Sequence, residues 1–107
     1  MTKAGDPGVD ALIEAARIEF AQSLSVKADA LVALAERGAW DDTRRAAHKL
    51  RGSAAVYGFA AIGAMAAAVE DLVLRENGAP DATACAGIRA LLRDLRDQAA
   101  LAGRGAS

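Results

Sequence analysis

The sequence predicts an all-α protein, an antiparallel up-down-up-down four-helix bundle. Hydrophobic residues make up 53% of the 107 residues, but aromatic residues only 4%, and alanine is the most frequent residue. Alanine is the best helix former, whereas strands favour the β-branched and aromatic residues that are scarce here. Apolar residues recur at steps of three and four in four segments with short links, which is the pattern of a small bundle.

The first helix follows from a long apolar stripe. Its members are Val9, Leu12, Ala16, Phe20, Leu24, Ala28, Leu31 and Ala35. These positions share one helical face, so we expect a helix from Val9, with a bend near Ser23 or Ser25. Gly38 suits the left-handed residue that commonly ends a helix.

The second and third helices flank Gly58. Asp41 or Asp42 is placed to cap a helix that runs from about residue 42 to Tyr57 and closes at Gly58. Both carboxylates also favour the positive end of the helix dipole. The third helix follows at once, with the stripe Ile62, Met65, Val69, Leu72 and Val73.

A turn at Asn77 and Gly78 separates the last helix, and Pro80 pre-sets its start. Its stripe consists of Ile88, Leu91, Leu92, Leu95 and Leu101. The chain therefore divides into a flexible lead-in over 1–8, a single bundle over 9–102 and a flexible tail over 103–107. A chain of this length forms one domain.

Composition excludes several classes of protein. A net charge of −1 argues against a nucleic-acid binder, which would carry a basic excess. A single cysteine, Cys85, cannot form an internal disulfide, and the N-terminus has no apolar signal core, so we expect a cytoplasmic protein. The uncharged stretch 52–69 approaches a membrane span in length, but its alanines and Gly58 favour two soluble helices.

The stretch "AAHKLRGSAA", residues 46–55, holds the only histidine. At 100° per residue, Leu50 and Tyr57 lie opposite His48, so His48 is predicted to face solvent. The residues that share its side of the helix are Arg44, Arg45, Arg51, Gly52 and Ala55. Lys49 lies about a quarter turn away, and its long side chain can bend toward the ring.

These residue types suit nucleophilic transfer at histidine. A neutral imidazole nitrogen is nucleophilic near pH 7, and Lys49 and Arg51 could offset the charge of an acquired phosphoryl group. Gly52 is unfavourable within a helix but lets another surface approach the ring. The sequence has no phosphate-binding loop, no second histidine and no cysteine pair. We therefore expect no ATP site, no metal and no other cofactor, and a phosphoryl donor that is another protein.

The segment "AHKLRGSAAVYGF", residues 47–59, resembles the histidine-containing phosphotransfer (HPt) domain, whose signature runs A-H-x-L-K-G-S-[SA] and then reaches a glycine. "EDL" at 70–72 is similar to the acidic-leucine step of the third helix of that family. The one departure is Arg51, where the family usually has lysine. The resemblance implies a four-helix bundle with a phosphorylated His48, and a Mg²⁺ that belongs to the partner receiver domain.

The expected function is therefore phosphoryl transfer between receiver aspartates through His48, with no autonomous kinase activity. Lys49 and Arg51 would stabilise the phosphate, and receiver docking would use Gly52, Ala55, Arg44 and Arg45. Outward residues of the first helix, such as Ile13, Ala16 or Ile18, are further docking candidates. Expected partners are receiver domains and a sensor histidine kinase, and we expect a monomer.

Two other functions remain open at this level. A non-catalytic helical adaptor could bind a partner through the same face. A dimerisation-and-phosphoacceptor domain of a sensor kinase would need an ATPase partner and usually a proline soon after the histidine. No such proline follows His48.

Overall fold

The computed structural model describes residues 7–77 and 79–105. This part of the chain is helical and contains no strand, which confirms the all-α class. The helices are α1 (Pro7–Glu36), α2 (Trp40–Tyr57), α3 (Ala60–Arg75) and α4 (Ala82–Gly105).

The four helices surround one core. Helices α1 and α3 each pack against both α2 and α4, whereas no Cα atoms of α1 and α3, or of α2 and α4, lie within 8 Å of each other in the described chain. The core consists of side chains from every helix, and many are alanines, which allow close approach of the helix axes. Its largest fully buried side chains are Leu24, Leu31, Val69, Val73, Ile88 and Leu95.

Helix α1 begins at Pro7, two residues before the predicted start, so the predicted lead-in is helical at residues 7 and 8. Proline is favoured in the first turn of a helix, where its missing N–H is not needed. The remaining lead-in, 1–6, lies outside the described residues. The helix continues through both serines where a bend was expected, and the Ser23 hydroxyl donates to the Phe20 carbonyl at 2.7 Å. Gly38 follows the helix with φ +70°, as predicted.

The predicted cap of α2 is wrong. The helix begins at Trp40, and its N-cap is Ala39, which has no capping side chain. Because the helix starts earlier than expected, Asp41 and Asp42 lie inside its first turn, where their charges favour the positive end of the dipole. The C-terminal prediction is confirmed, because α2 ends at Tyr57 and Gly58 adopts a left-handed conformation with φ +82°.

The uncharged stretch 52–69 forms the end of α2 and the beginning of α3, with the break at Gly58 and Phe59. Across the described residues, no helix combines the length and the apolar character that crossing a membrane requires.

Helix α4 is longer than predicted and is capped by a residue that the sequence reasoning did not single out. It begins at Ala82, after Pro80, and the Ala84 amide donates to Asp81 Oδ1 at 2.8 Å. The predicted flexible tail is wrong for residues 103–105, which continue the helix to Gly105. Gly78 and residues 106–107, which these predictions also covered, lie outside the described residues.

The Asp81 cap gives a testable effect on stability. Replacing Asp81 by alanine leaves an unpaired amide at the start of α4, and N-cap losses of this kind cost about 1 kcal/mol. We therefore expect Asp81→Ala to lower the free energy of unfolding by about 1 kcal/mol in urea titrations. Asp81→Asn, which retains a capping oxygen, is the matched control and should stay within a few tenths of a kcal/mol of the wild type. An equal loss in both variants would contradict the cap.

Candidate functional site

His48 lies on the exposed side of α2, as the helical wheel predicts. Its side chain is 69% exposed, whereas its neighbours Ala47 and Leu50 are buried in the core. The backbone of the histidine is thus fixed by side chains that pack into the bundle, while the ring projects from it. A group on another molecule can reach the imidazole without any rearrangement of the fold.

The buried carboxylate of Glu70 forms a hydrogen bond with the His48 ring on the side that faces the bundle. His48 Nδ1 lies 2.7 Å from Glu70 Oε2, and the Glu70 side chain is only 8% exposed. Glu70 belongs to α3 and shares that helix's core-facing side with Ala66 and Val73. Helix α3 packs against α2, so this acid reaches the surface only beneath the imidazole.

Arg51 pairs with the second oxygen of the same carboxylate. Its Nη1 donates to Glu70 Oε1 at 3.2 Å, so Glu70 bridges His48 and Arg51. A buried carboxylate is costly unless it is paired and hydrogen-bonded, and here each oxygen has a partner. One turn separates His48 from Arg51, which places both on the side of α2 that faces α3.

This geometry determines which ring nitrogen is available. A carboxylate can only accept hydrogen bonds, so the neutral His48 ring must carry its proton on Nδ1 in order to donate to Glu70. The lone pair then lies on Nε2, at the far side of the ring. The exposed nitrogen of His48 is therefore the one that can act as a nucleophile.

The other predicted cations lie apart from this network. Arg44 donates to Asp41 at 3.1 Å, and Arg45 pairs with both Asp41 (2.8 Å) and Asp42 (3.7 Å). Lys49 makes no ion pair or hydrogen bond within the described chain and lines the groove between α1 and α2. Arg51 therefore lies on the α3 side of α2 and Lys49 on the α1 side, and only Arg51 shares a hydrogen-bonding partner with the histidine.

Small side chains surround the histidine on the exposed surface. Gly52 and Ala55 are both exposed, one and two turns after His48. Ala55 also lines a shallow groove between α2 and α3, together with Gly63, Ala64 and Ala67. This groove adjoins Arg51, so the structure offers a smooth apolar surface beside the network.

Mutation of Gly52 can distinguish an effect on the stability of the fold from an effect on access to His48. A Cβ built at Gly52 has no heavy atom within 4 Å, so the fold itself does not require glycine there. We expect Gly52→Ala to raise the free energy of unfolding by about 0.5–1 kcal/mol, because alanine is the better helix former. Chemical denaturation measures this. Gly52→Gln, which also folds but projects a long side chain beside the ring, should slow phosphoryl transfer from a receiver; unchanged transfer in Gly52→Gln would contradict a role in access.

The first-helix docking candidates are not beside His48. The α1 residues that line the groove with Lys49 are Lys27, Ala30 and Leu31. At 1.5 Å per residue, Ile18 lies about 13 Å, Ala16 about 16 Å and Ile13 about 21 Å closer to the N-terminus of α1 than Lys27. The part of α1 that lies nearest the level of the histidine is its middle, around residues 27–31.

Sequence reasoning noted Glu70 within "EDL" but did not place it in the site. A signal was present, because Glu70 falls on the same helical face as Ala66 and Val73 in a segment that is otherwise uncharged from residue 60 to 69. A carboxylate on a core-facing stripe requires a partner. Which partner it has depends on how α3 packs on α2, and no pattern within α3 reveals that.

The described residues contain no group of three or more His, Cys, Asp and Glu side chains that could hold a metal ion. The fold and the site together define an all-helical domain that displays one histidine, oriented by a buried acid, on the outer face of its second helix.

A model of the Hpt domain matches residues 13–98, which is most of the chain. The chain belongs to the Hpt domain family, as the sequence resemblance indicated. Membership implies phosphotransfer in two-component signalling, and Hpt domains typically interact with response-regulator receivers and kinases. Comparison with curated proteins and with solved structures gave no match.

Proposed function

We propose that this protein is a phosphorelay intermediate that accepts a phosphoryl group on His48 Nε2 from a receiver-domain aspartate and passes it to another receiver. The observation that carries the proposal is the 2.7 Å contact between His48 Nδ1 and Glu70, which in the neutral ring places the lone pair on the exposed Nε2. A nucleophile must present a lone pair to its electrophile, and this arrangement presents it toward solvent.

The transfer step needs no external base. The Nε2 lone pair attacks the phosphorus of an aspartyl phosphate, the N–P bond forms, and the P–O bond to the aspartate breaks. The electron pair of that bond stays on the departing carboxylate. The ring retains its Nδ1 proton and gains positive charge, which the Glu70 carboxylate offsets through the hydrogen bond. Transfer onward to a second receiver is the reverse of this step.

Two cations support the phosphoryl group. Arg51 lies one turn from His48, and its guanidinium has further N–H donors besides the one bound to Glu70. Lys49 approaches from the α1 side, carries no competing partner within the described chain and has a flexible stem. The Mg²⁺ that phosphoryl transfer from an aspartate requires would belong to the receiver.

Docking would use the face that surrounds the histidine. Gly52 and Ala55 leave the ring accessible, and the small residues of the α2–α3 groove can pack against an apolar helix face of a receiver. Arg44 and Arg45 lie on the same helix, where they could meet acidic side chains at the rim of the interface. Both are paired with aspartates in the free protein, so docking would exchange partners.

We also infer the up-down-up-down order of the bundle. Phe20 of α1 stacks on Tyr57 of α2 at 4.6 Å, and Arg96 of α4 pairs with Asp29 of α1 at 2.9 Å. A Cβ on Gly103 would lie 3.6 Å from the Ala21 carbonyl. Residue 29 of α1 is level with residue 96 of α4, whereas residue 21 is level with residue 103, so these two helices run in opposite directions. Together with the short links between successive helices, this supports an antiparallel bundle.

A phosphotransfer assay tests the proposal. A receiver is phosphorylated on its aspartate with radiolabelled phosphate, mixed with this protein and Mg²⁺, and the label is followed by electrophoresis. We expect label on this chain that is lost in acid and retained in base, which is the behaviour of phosphohistidine. A protein that binds the receivers of its own cell but takes no label from any of them would be an adaptor, and the proposal would fail. ATP alone should give no label.

A further inference from the structure

Helix α1 extends well beyond the bundle. At this end of the molecule α2 finishes at Tyr57, which stacks on Phe20, and the last turn of α4 lies beside Ala21. Residues 7–16, here called the α1 overhang, therefore project past their neighbours by about 15 Å. The family match begins at residue 13, so most of the overhang lies outside the segment that defines the family.

The overhang carries an uncovered apolar stripe. Leu12 is 73% exposed, Ile13 61% and Val9 50%. With Ala16 they fall within a sector of about 100° of the helix, on the line that continues into the buried Phe20. Isolated exposed apolar residues are common, but three within five positions, in phase with the core stripe, mark a contact surface.

The charges beside this stripe point to its occupant. Asp10 and Arg17 lie on the same flank of α1, two turns apart. A second overhang that runs antiparallel about a two-fold axis between Ile13 and Glu14 would place each Asp10 opposite the partner copy's Arg17. The stripe is therefore complementary to itself in charge, as a two-fold interface requires.

This pairing brings the described part of one overhang alongside that of the other. In that register residue 7 of one copy lies level with Phe20 of the other. The Phe20 ring contacts Tyr57 and Phe59, and the bundle begins at these residues. The Arg17 guanidinium lies 4.9 Å from the centre of the Phe59 ring and 3.8 Å from the Glu14 carboxylate of its own helix, an exposed pair that the partner copy's Asp10 would join. Residues 7–20 of each copy thus lie alongside the same residues of the other.

We propose that the α1 overhang is a homodimer interface, in which two copies pair antiparallel through Val9, Leu12 and Ile13 and form two Asp10–Arg17 ion pairs. The monomer expected from the sequence would then be the dilute form. His48 precedes Tyr57 by nine residues, about two and a half turns of α2, so it lies away from the interface and both copies keep their histidines free. An interface of this small size gives weak association.

Sedimentation equilibrium of the 107-residue protein from about 10 to 500 µM tests this. We expect the wild type to approach twice its monomer mass and Leu12→Glu to weaken association at least about 30-fold, since a charge would be buried in an apolar contact. Leu74→Glu, the same replacement at an exposed leucine of α3, is the matched control and should associate like the wild type. A monomeric wild type, or equal losses in Leu12→Glu and Leu74→Glu, would overturn the proposal.

Charge reversal tests the register. Asp10→Lys alone and Arg17→Glu alone each bring like charges together, so each should weaken association about 10-fold. The double variant Asp10→Lys/Arg17→Glu recreates both ion pairs with opposite polarity and should recover most of the affinity. A double variant as weak as the single variants would refute the antiparallel pairing. Phosphoryl acceptance by Leu12→Glu, assayed separately, keeps this result independent of the proposed relay function.

Discussion

His48→Gln is expected to accept no phosphoryl group. Glutamine keeps a similar length and a polar end on the exposed face of α2, so the fold should be retained, but its amide nitrogen has no available lone pair. With a phosphorylated receiver as donor, we expect label on the wild-type chain and a loss of at least about 1,000-fold in the variant, since no other side chain can replace an absent nucleophile. Autoradiography after short incubations measures the difference.

Two controls make this result specific to the histidine. Circular dichroism should give the same helical signal for His48→Gln and the wild type. Arg93→Gln removes an exposed charge on α4 that lies beside α1. It should take up label at the wild-type rate, because no Cα atoms of α4 and α2 lie within 8 Å of each other in the described chain. Label that survives in His48→Gln would show that another residue carries the phosphoryl group.

Glu70→Ala is expected to have the second largest effect. Without the carboxylate, Nδ1 loses the acceptor that fixes the ring proton, so the His48 ring samples both tautomers and turns freely. Losing the partner that orients a reacting imidazole costs about 10- to 100-fold in activity, and we expect a loss of this size in the rate of phosphoryl acceptance. Rapid-quench kinetics with a saturating phosphorylated receiver measure it.

Glu70→Gln separates orientation from charge. The glutamine carbonyl oxygen can still accept from Nδ1, but the charge that offsets the phosphorylated ring is absent, so we expect a smaller loss of about 5- to 10-fold. The ¹⁵N spectrum of the ring gives a readout that a purely structural role would not move. It should show a single neutral tautomer in the wild type and a mixture in Glu70→Ala. An unchanged tautomer in Glu70→Ala would contradict the role of Glu70 as a positioning residue.

Sequence periodicity was sufficient to locate the helices and to turn His48 outward, because both depend on which side chains avoid water along a single helix. Leu50 must be buried, and a residue about 200° away from it on the same helix must then face solvent. Helix ends were less predictable. The sequence offered Asp41 and Asp42 as caps, but α2 starts about two residues earlier, at Trp40, because this start packs the Trp40 side chain against the core.

The sequence by itself determined the helical class, the exposed histidine and, through the residues around it, the family. Only the tertiary structure decided what the histidine touches. Glu70 lies 22 positions away on a different helix, and its contact with His48 depends on the distance and rotation between α2 and α3. Those are set by close packing of small side chains across the core, such as Ala54 against Gly63. Local patterns dictate which face of a helix is buried, but the partner across that face is chosen by packing of the whole bundle.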